Sequence, residues 1–317
     1  MNICITGALG HIGSAFIRNI KIPGVVEVHI VDNMSAQRYA SLMDLPKRPK
    51  FVFHEMDVRN PIIESIILKC DVVIHLAAIS DAQSSIYYPK LVKAVNIDAL
   101  RQIVRFCSKH KAALFFPSTT SIYSAEGGIL DENTGAEHIV PQTPYAQSKL
   151  DGERYIKTYA AKHPLRFLIF RIGTIFGYSV GMRYNTAVNK FIYQAISSRK
   201  ISVWKTALHQ KRPYCDLVDC IAALNFFIAR DDFNKETYNI VTDSFTVSEI
   251  ITAIKAYIPK IGVELVNSEI MNKLSYGVSN DKSTLKGLRY TGNLKRSIAG
   301  TIVHFQNVDY TVKKRHL

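Results

Sequence analysis

The sequence predicts an α/β protein: a doubly wound parallel sheet followed by a smaller C-terminal α/β region. Three observations carry this. Through the first 171 residues, short apolar runs alternate with longer amphipathic ones, which is the rhythm of βαβ units. The short runs, such as Asp71-Val72-Val73-Ile74-His75-Leu76-Ala77, are nearly all apolar, as strands covered on both faces must be. The first of them, Asn2-Ile3-Cys4-Ile5-Thr6, runs straight into Gly7-Ala8-Leu9-Gly10-His11-Ile12-Gly13, a glycine-rich turn that opens a helix.

Taken in order, strands are expected at 2–6, 27–32, 51–56, 71–77, 112–117 and 166–171, with helices near 11–20, 61–69, 90–109 and 144–162. After residue 171 the rhythm changes. Gly173, Gly177 and Gly181 punctuate a loop, and a helix is expected from Asn185 to Ser198. A short strand (Ile201–Trp204) and a polar stretch then lead to Arg212, followed by a helix over 218–229 and a strand at Tyr238–Val241. Thr246 with Glu249 three residues on predicts a capping box at the start of a helix over 246–257. Residues 1–171, completed by segments near 212–241, are expected to form the first domain. Residues 172–211 and 242–317 form a second region packed against it.

Composition narrows the class. A chain of 317 residues, 47% hydrophobic, can bury a large core. No apolar run approaches the roughly 20 residues of a membrane helix, and Met1 leads directly into a strand pattern rather than a secretory leader. Five cysteines without a C-x-x-C pair, four of them in apolar segments, predict reduced buried thiols and a cytoplasmic protein. No cluster of His, Cys, Asp and Glu has ligand spacing, so no metal is expected. The net charge of +14 is spread over Lys47-Arg48, Lys190, Arg199-Lys200, Lys211-Arg212 and Lys313-Lys314-Arg315. Such scatter argues against a nucleic-acid stripe and for a solvated basic surface.

The glycine turn points to a dinucleotide. Gly7 permits the tight turn after the strand, Gly10 lets backbone approach a pyrophosphate, and Gly13 lets the helix pack close to the sheet. The helix N-terminus then offers unpaired N–H groups to the phosphates. Asp32 ends the next strand about 20 residues on, where a carboxylate takes ribose hydroxyls. That carboxylate repels a 2′-phosphate and so favours NAD over NADP, although Arg38 lies nearby. Asn33 follows it, Asp57-Val58 ends the third strand where an adenine would lie, and Leu76-Ala77-Ala78 ends the fourth. His75 reads as a satisfied core histidine.

Tyr145 and Lys149 stand four apart in a helical pattern and share one face. A lysine ammonium beside a phenol of pKa about 10 favours the phenolate, so Tyr145 is the expected base for a hydroxyl proton. Lys149 is also expected to hold the nicotinamide ribose. One more donor to the same oxygen is expected from Ser118-Thr119-Thr120-Ser121, at the end of the fifth strand.

With these motifs in place, the chain resembles the extended short-chain dehydrogenase/reductases, specifically the NAD-dependent epimerase/dehydratase branch acting on nucleotide sugars, along essentially its whole length. The marks are Thr6 to Gly13, Asp32-Asn33-Met34-Ser35, Asp57-Val58-Arg59 and His75-Leu76-Ala77-Ala78. To these are added Asn96, Ser118 to Tyr123, Pro144 to Lys149, and Arg171 to Gly177. The resemblance implies a Rossmann-type first domain, Thr119 as catalytic Ser/Thr, Tyr145 as base, Lys149 as the cofactor-holding lysine and Asn96 as a further cofactor contact. It also implies that Arg212, in Gln210-Lys211-Arg212-Pro213-Tyr214 with Asp219 following, grips a nucleotide diphosphate. Thr120, Ser121 and Asn185 become substrate contacts, and a homodimer forms through the helices near 90–109 and 144–162.

The departures bear on the reaction. Dehydratases of the family look like Thr-Asp-Glu where this chain has Thr119-Thr120-Ser121, so the acid–base pair for water elimination is missing. Thr174 stands where many members carry Asn. Thr206-Ala207-Leu208 replaces a Gly-Asp-Gly, and no arginine is placed before Asp281-Lys282-Ser283. The reading that follows is a nucleotide-sugar epimerase acting at C4 through a transient ketone. Net C4 oxidation or reduction shares the same first half-reaction. A non-catalytic dinucleotide sensor or RNA-binding relative would have no use for Tyr145 and Lys149.

Overall fold

The computed structural model describes residues 1–125, 127–267 and 275–305. The first half follows the expected rhythm: β1 (Asn2–Thr6), α1 (His11–Arg18), β2 (Glu27–Asp32), β3 (Lys50–Glu55), α2 (Ile63–Ile67) and β4 (Val72–His75). A long helical run follows, made of α3 (Pro89–Lys93), a π-helical turn at Ala94–Asp98 and α4 (Ala99–His110). Next come β5 (Ala113–Thr119), the two-residue β6 (Ile129–Leu130), α5 (Pro144–Ala160) and β7 (Phe167–Ile172). Strands of Ile, Val, Leu and Phe here are buried on both faces because helices cover both.

The second half contains β8 (Thr174–Phe176), α6 (Ala187–Ile196), β9 (Ile201–Trp204), β10 (Lys211–Asp216), α7 (Leu217–Ala229) and β11 (Glu236–Ile240). It continues with β12 (Asp243–Thr246), α8 (Val247–Lys255), β13 (Val263–Val266), β14 (Gly277–Val278), α9 (Asp281–Leu285) and α10 (Leu294–Val303). Among the described residues the main sheet runs β3-β2-β1-β4-β5-β7-β11, with every pairing parallel. The order reverses between β1 and β4, and the crevice at such a switch point is where open α/β sheets bind ligands.

Two apolar cores cover the faces of this sheet. One lies between the strands and α1 and α7, around Phe16, Phe170 and Phe227. The other lies beneath α2, α4 and α5, around Ile103, Phe116 and Ile156. A third core, with Phe176, Phe191, Tyr214 and Ile250, holds α6, α8 and α10 on a small sheet of order β12-β10-β8. The polar stretch leading to Arg212 forms a single 3-10 turn at Lys205–Ala207, and Arg212 itself lies on strand β10 of that small sheet. The front of this strand, Lys211-Arg212-Pro213, is anchored by buried Tyr214 and Cys215. The capping box at Thr246 and Glu249 forms as expected. Asp216 and Asp219 turn inward to accept N–H groups of Asn293, Thr291 and Gly292, tying the chain's last described helix to α7. All five cysteines are buried. No helix among the described residues is long and apolar enough to cross a membrane. The basic run Lys313–Arg315 lies outside the described residues.

Candidate functional site

One cleft of about 1330 Å³ opens over the carboxyl ends of the main sheet and runs to the small sheet. That exceeds the few hundred to about 1,000 Å³ of a single-ligand pocket, and its two ends differ in chemistry.

At one end the wall is backbone. Gly7 (φ +64°) turns the chain out of β1, and a Cβ there would stand 2.6 Å from the amide nitrogen of Ala77. Gly13 is packed on the backbone of Ala8 just as closely. Gly10 is the N-cap of α1 and no side chain caps the helix, so its first-turn N–H groups face the cleft beside Gly7, His11 and Ile12. An uncapped helix start over a glycine turn suits a pyrophosphate. Asp32 lines the same end, accepting the N–H of Leu9 (3.2 Å) and of Met34 (3.0 Å), and the Arg38 guanidinium faces it. Asn33, Asp57 and Val58 form the next stretch of wall. Arg59 clamps Asp57 at 2.8 Å and Asn33 donates to it, which holds its carboxyl at about 2. Leu76, Ala77 and Ala78 complete this half.

Asn96 is the one candidate cofactor contact that does not line the cleft. Its amide accepts the N–H of Ile79 (2.8 Å) and donates to Ile79 O and Ser148 Oγ, both at 3.0 Å. It shapes the loop that walls the cleft from behind. His75 is buried against Thr6 Oγ1 at 2.8 Å, as a core histidine should be.

Where the two ends meet stand Thr119, Tyr145 and Lys149. Thr119 is the last residue of β5, and its hydroxyl accepts the N–H of Ser121 at 3.1 Å. Thr143 caps α5 through the N–H of Ala146 (3.1 Å) and Pro144 starts the helix, which places Tyr145 in the first turn. Burial raises the Tyr145 phenol, and two neighbours pull it down: the Arg183 guanidinium and hydrogen bonding from Thr119. Arg183 is thus a cation acting on Tyr145 that the sequence reading, which named Lys149, did not include. Burial against the Phe116 ring (4.6 Å) lowers Lys149 itself to about 7, and Glu153, one helical turn on, opposes this. Glu153 is already committed to Arg171 by a buried pair at 2.8 Å, and Arg171 also donates to Tyr123 Oη at 2.8 Å. This pair braces the underside of the site.

The far end is built from side chains. Arg212 on β10 lies 5.4 Å over the ring of Tyr276, and its guanidinium reaches Gln210 Oε1 at 3.4 Å. Tyr276 Oη donates to Thr120 O at 3.0 Å, linking this wall to the end of β5. Thr120, Ser121, Thr174 and Trp204 line the same space. Asn185 lines it from the loop ahead of α6, which begins at Ala187 rather than at Asn185 itself. Arg183, Trp204 and Tyr276 were missed from sequence. Arg183 alone carried a signal, lying just beyond the glycine-punctuated stretch that ends at Gly181.

Comparison with known proteins agrees with this fold. A family model described as NAD dependent epimerase/dehydratase family matches residues 3–241. A UDP-glucose epimerase of Bacillus subtilis, itself described as uncharacterized, is 27% identical over 249 residues, 76% of each chain. The crystal structure of UDP-glucose 4-epimerase of Thermus thermophilus with NAD superposes with a TM-score of 0.82 at 22% identity, covering 98% of this chain and 100% of that one. UDP-glucuronic acid 4-epimerase of Bacillus cereus, in complex with UDP-glucuronic acid and NAD, gives 0.84 at 24% identity over 95% and 97%.

Proposed function

The chain belongs to the NAD-dependent epimerase/dehydratase family, and from that premise we propose that it is a nucleotide-sugar 4-epimerase that uses Tyr145 as its base. The observation that carries the reading is the meeting of Thr119, Tyr145 and Lys149 midway along one cleft, between the glycine end and the Arg212 end. Thr120 and Ser121 stand where elimination chemistry would want an acid pair. Bound at the glycine end, NAD supplies a reversible acceptor for the hydrogen on the sugar's C4.

This chain's own residues do the rest. Arg212 holds the diphosphate, a role suited to a planar guanidinium. Thr119 donates to the C4 oxygen, and Tyr145 Oη takes that oxygen's proton as the ketone forms. Arg183 stabilises the phenolate left before the transfer, and Lys149 holds the ribose beside it. With the diphosphate anchored, the keto-sugar turns, and Tyr145 returns its proton to the oxygen of the opposite configuration. The substrates named for the two structural neighbours support C4 as the centre and uridine diphosphate as the handle.

The test is product analysis with UDP-glucose and UDP-glucuronic acid, each carrying deuterium at C4. The expected product is the C4 epimer with the label retained, and Tyr145→Phe slows its formation by roughly 10²–10⁴-fold while UDP binding persists. Absence of an epimer with both substrates sinks the proposal. Stoichiometric reduction of added cofactor would replace it with net C4 oxidation.

A further inference from the structure

Ser14 and Ser179 lie behind the cleft and touch none of it, yet they form a buried hydrogen-bond chain between its two halves. The N–H of Gly181 donates to Ser14 Oγ (3.0 Å), Ser14 donates to Ser179 Oγ (3.1 Å), and Ser179 donates to His11 O (2.9 Å). Ser14 Oγ also lies 3.4 Å from His11 O, a second and longer acceptor for its one proton, and neither hydroxyl oxygen is left unsatisfied. Beside it, His11 Nε2 donates to Gly177 O at 2.7 Å. Ser14 is fully buried, and Ser179 and His11 nearly so. The seam is also tight: a Cβ on Gly181 would run into the carbonyl oxygen of Leu9 and lie 2.7 Å from Ser14 Oγ.

One side of this seam is the first turn of α1, the part of the glycine end most firmly set by backbone packing. The other side is the loop 177–186, which next sends Arg183 and Asn185 into the cleft. Arg183 is then fixed at both ends. Asn189 donates to its backbone oxygen (3.1 Å), and its guanidinium donates to Ser80 O (3.1 Å) and Ser80 Oγ (2.5 Å) across the cleft.

We propose that Ser14 and Ser179 are positioning residues that lock the loop 177–186 to the dinucleotide helix and so hold Arg183 and Asn185 in register with Tyr145. The proposal rests on the 4-epimerase reading, because a sugar that must turn over between two hydride positions needs walls that stay still while it moves. A wall that gives lets the ketone leave before it is reduced.

The experiment compares Ser14→Ala, Ser179→Ala and the double variant with the wild type, all loaded with NAD, using UDP and whichever of UDP-glucose or UDP-glucuronic acid the wild type converts. UDP affinity by calorimetry stays within about twofold, because Arg212 is carried by β10 and not by this loop, whereas kcat/KM for the sugar falls about tenfold. The double variant is no worse than either single one, since one chain is cut in each case. During turnover the variants accumulate fluorescent reduced nicotinamide that the wild type does not. Wild-type kcat/KM and fluorescence in both single variants would overturn the proposal. So would parallel loss of UDP binding and turnover, the mark of general damage. If Ser14→Ala does not fold, Ser179→Ala removes the neighbouring link and decides alone. A wild type that binds no UDP and converts neither sugar defeats the epimerase reading itself, and the positioning role falls with it.

Discussion

The two ends of the cleft are made in different ways. The glycine end is backbone: a turn, an uncapped helix start and three strand ends, all drawn from the first 78 residues and set by close packing. The Arg212 end is side chains brought from β5, the loop 177–186, β9, β10 and residue 276, which sit far apart in the chain. A backbone wall suits an invariant ligand, because any added atom is a clash. A side-chain wall can be changed one residue at a time. The difference predicts that substitutions at the first end destroy binding and those at the second grade it.

Gly7→Ala should have the largest effect. The new methyl would stand 2.6 Å from the Ala77 nitrogen and 2.7 Å from its Cα, on a residue whose φ of +64° a side chain resists. Neither backbone can move without shifting β1 or β4. The expected outcome is protein that retains no NAD through purification, scored by mass spectrometry of the native protein. NAD retained at the wild-type level would show that this end is as adaptable as the other, and the contrast would fail.

The same contrast explains what was legible in the sequence. The placement of the glycines, Asp32, Asp57 and the Leu76–Ala78 turn along the cleft could be read because it is local: each motif carries its own strand end and turn. Tyr145 and Lys149 could be read because one helical turn separates them. Trp204 and Tyr276 could not, and Arg183 only by its place after Gly181, since their meaning exists only after distant segments meet, and Tyr276 reaches Thr120 across 156 residues. Asn96 failed in the opposite way. Its position along the chain suited a cofactor contact, but a π-helical turn buries it behind Ile79, where its amide is spent on the Ile79 backbone and Ser148 Oγ. The tyrosine's electrostatics were legible only in part, because spacing names Lys149, while Arg183, which also favours the phenolate, arrives from a distant loop.

At the graded end, Arg212→Ala should raise KM for the nucleotide sugar about a hundredfold, the scale of losing a charge-assisted pair with a diphosphate. NAD content should not change, because Arg212 belongs to the other half. Arg212→Lys should recover only part of the loss, since an ammonium cannot reproduce a two-pronged grip. Steady-state kinetics beside cofactor content decides it. If NAD is lost along with substrate affinity, the two ends are one coupled unit rather than two kinds of wall.

The smallest effect lies at the junction. His11 belongs to the glycine end but bonds to Gly177 of the other, and burial, with Arg183 and Arg38 nearby, lowers it to about 4. Its folded pKa is therefore below the value of about 6.5 it has in the unfolded chain. Between those two values the unfolded chain binds a proton that the folded one refuses, so stability is full above pH 6.5 and declines as pH falls toward 4. From pH 7 to pH 5 the loss from this residue is about 2 kcal/mol. His75, lowered to about 3 by burial and by Lys149, adds a loss of the same sign. Urea unfolding at the two pH values, repeated on His11→Gln, separates them: the variant should keep the His75 share and lose the His11 share. An undiminished pH dependence in His11→Gln would mean that the junction carries no proton-linked stability, and that acid weakens the two ends separately.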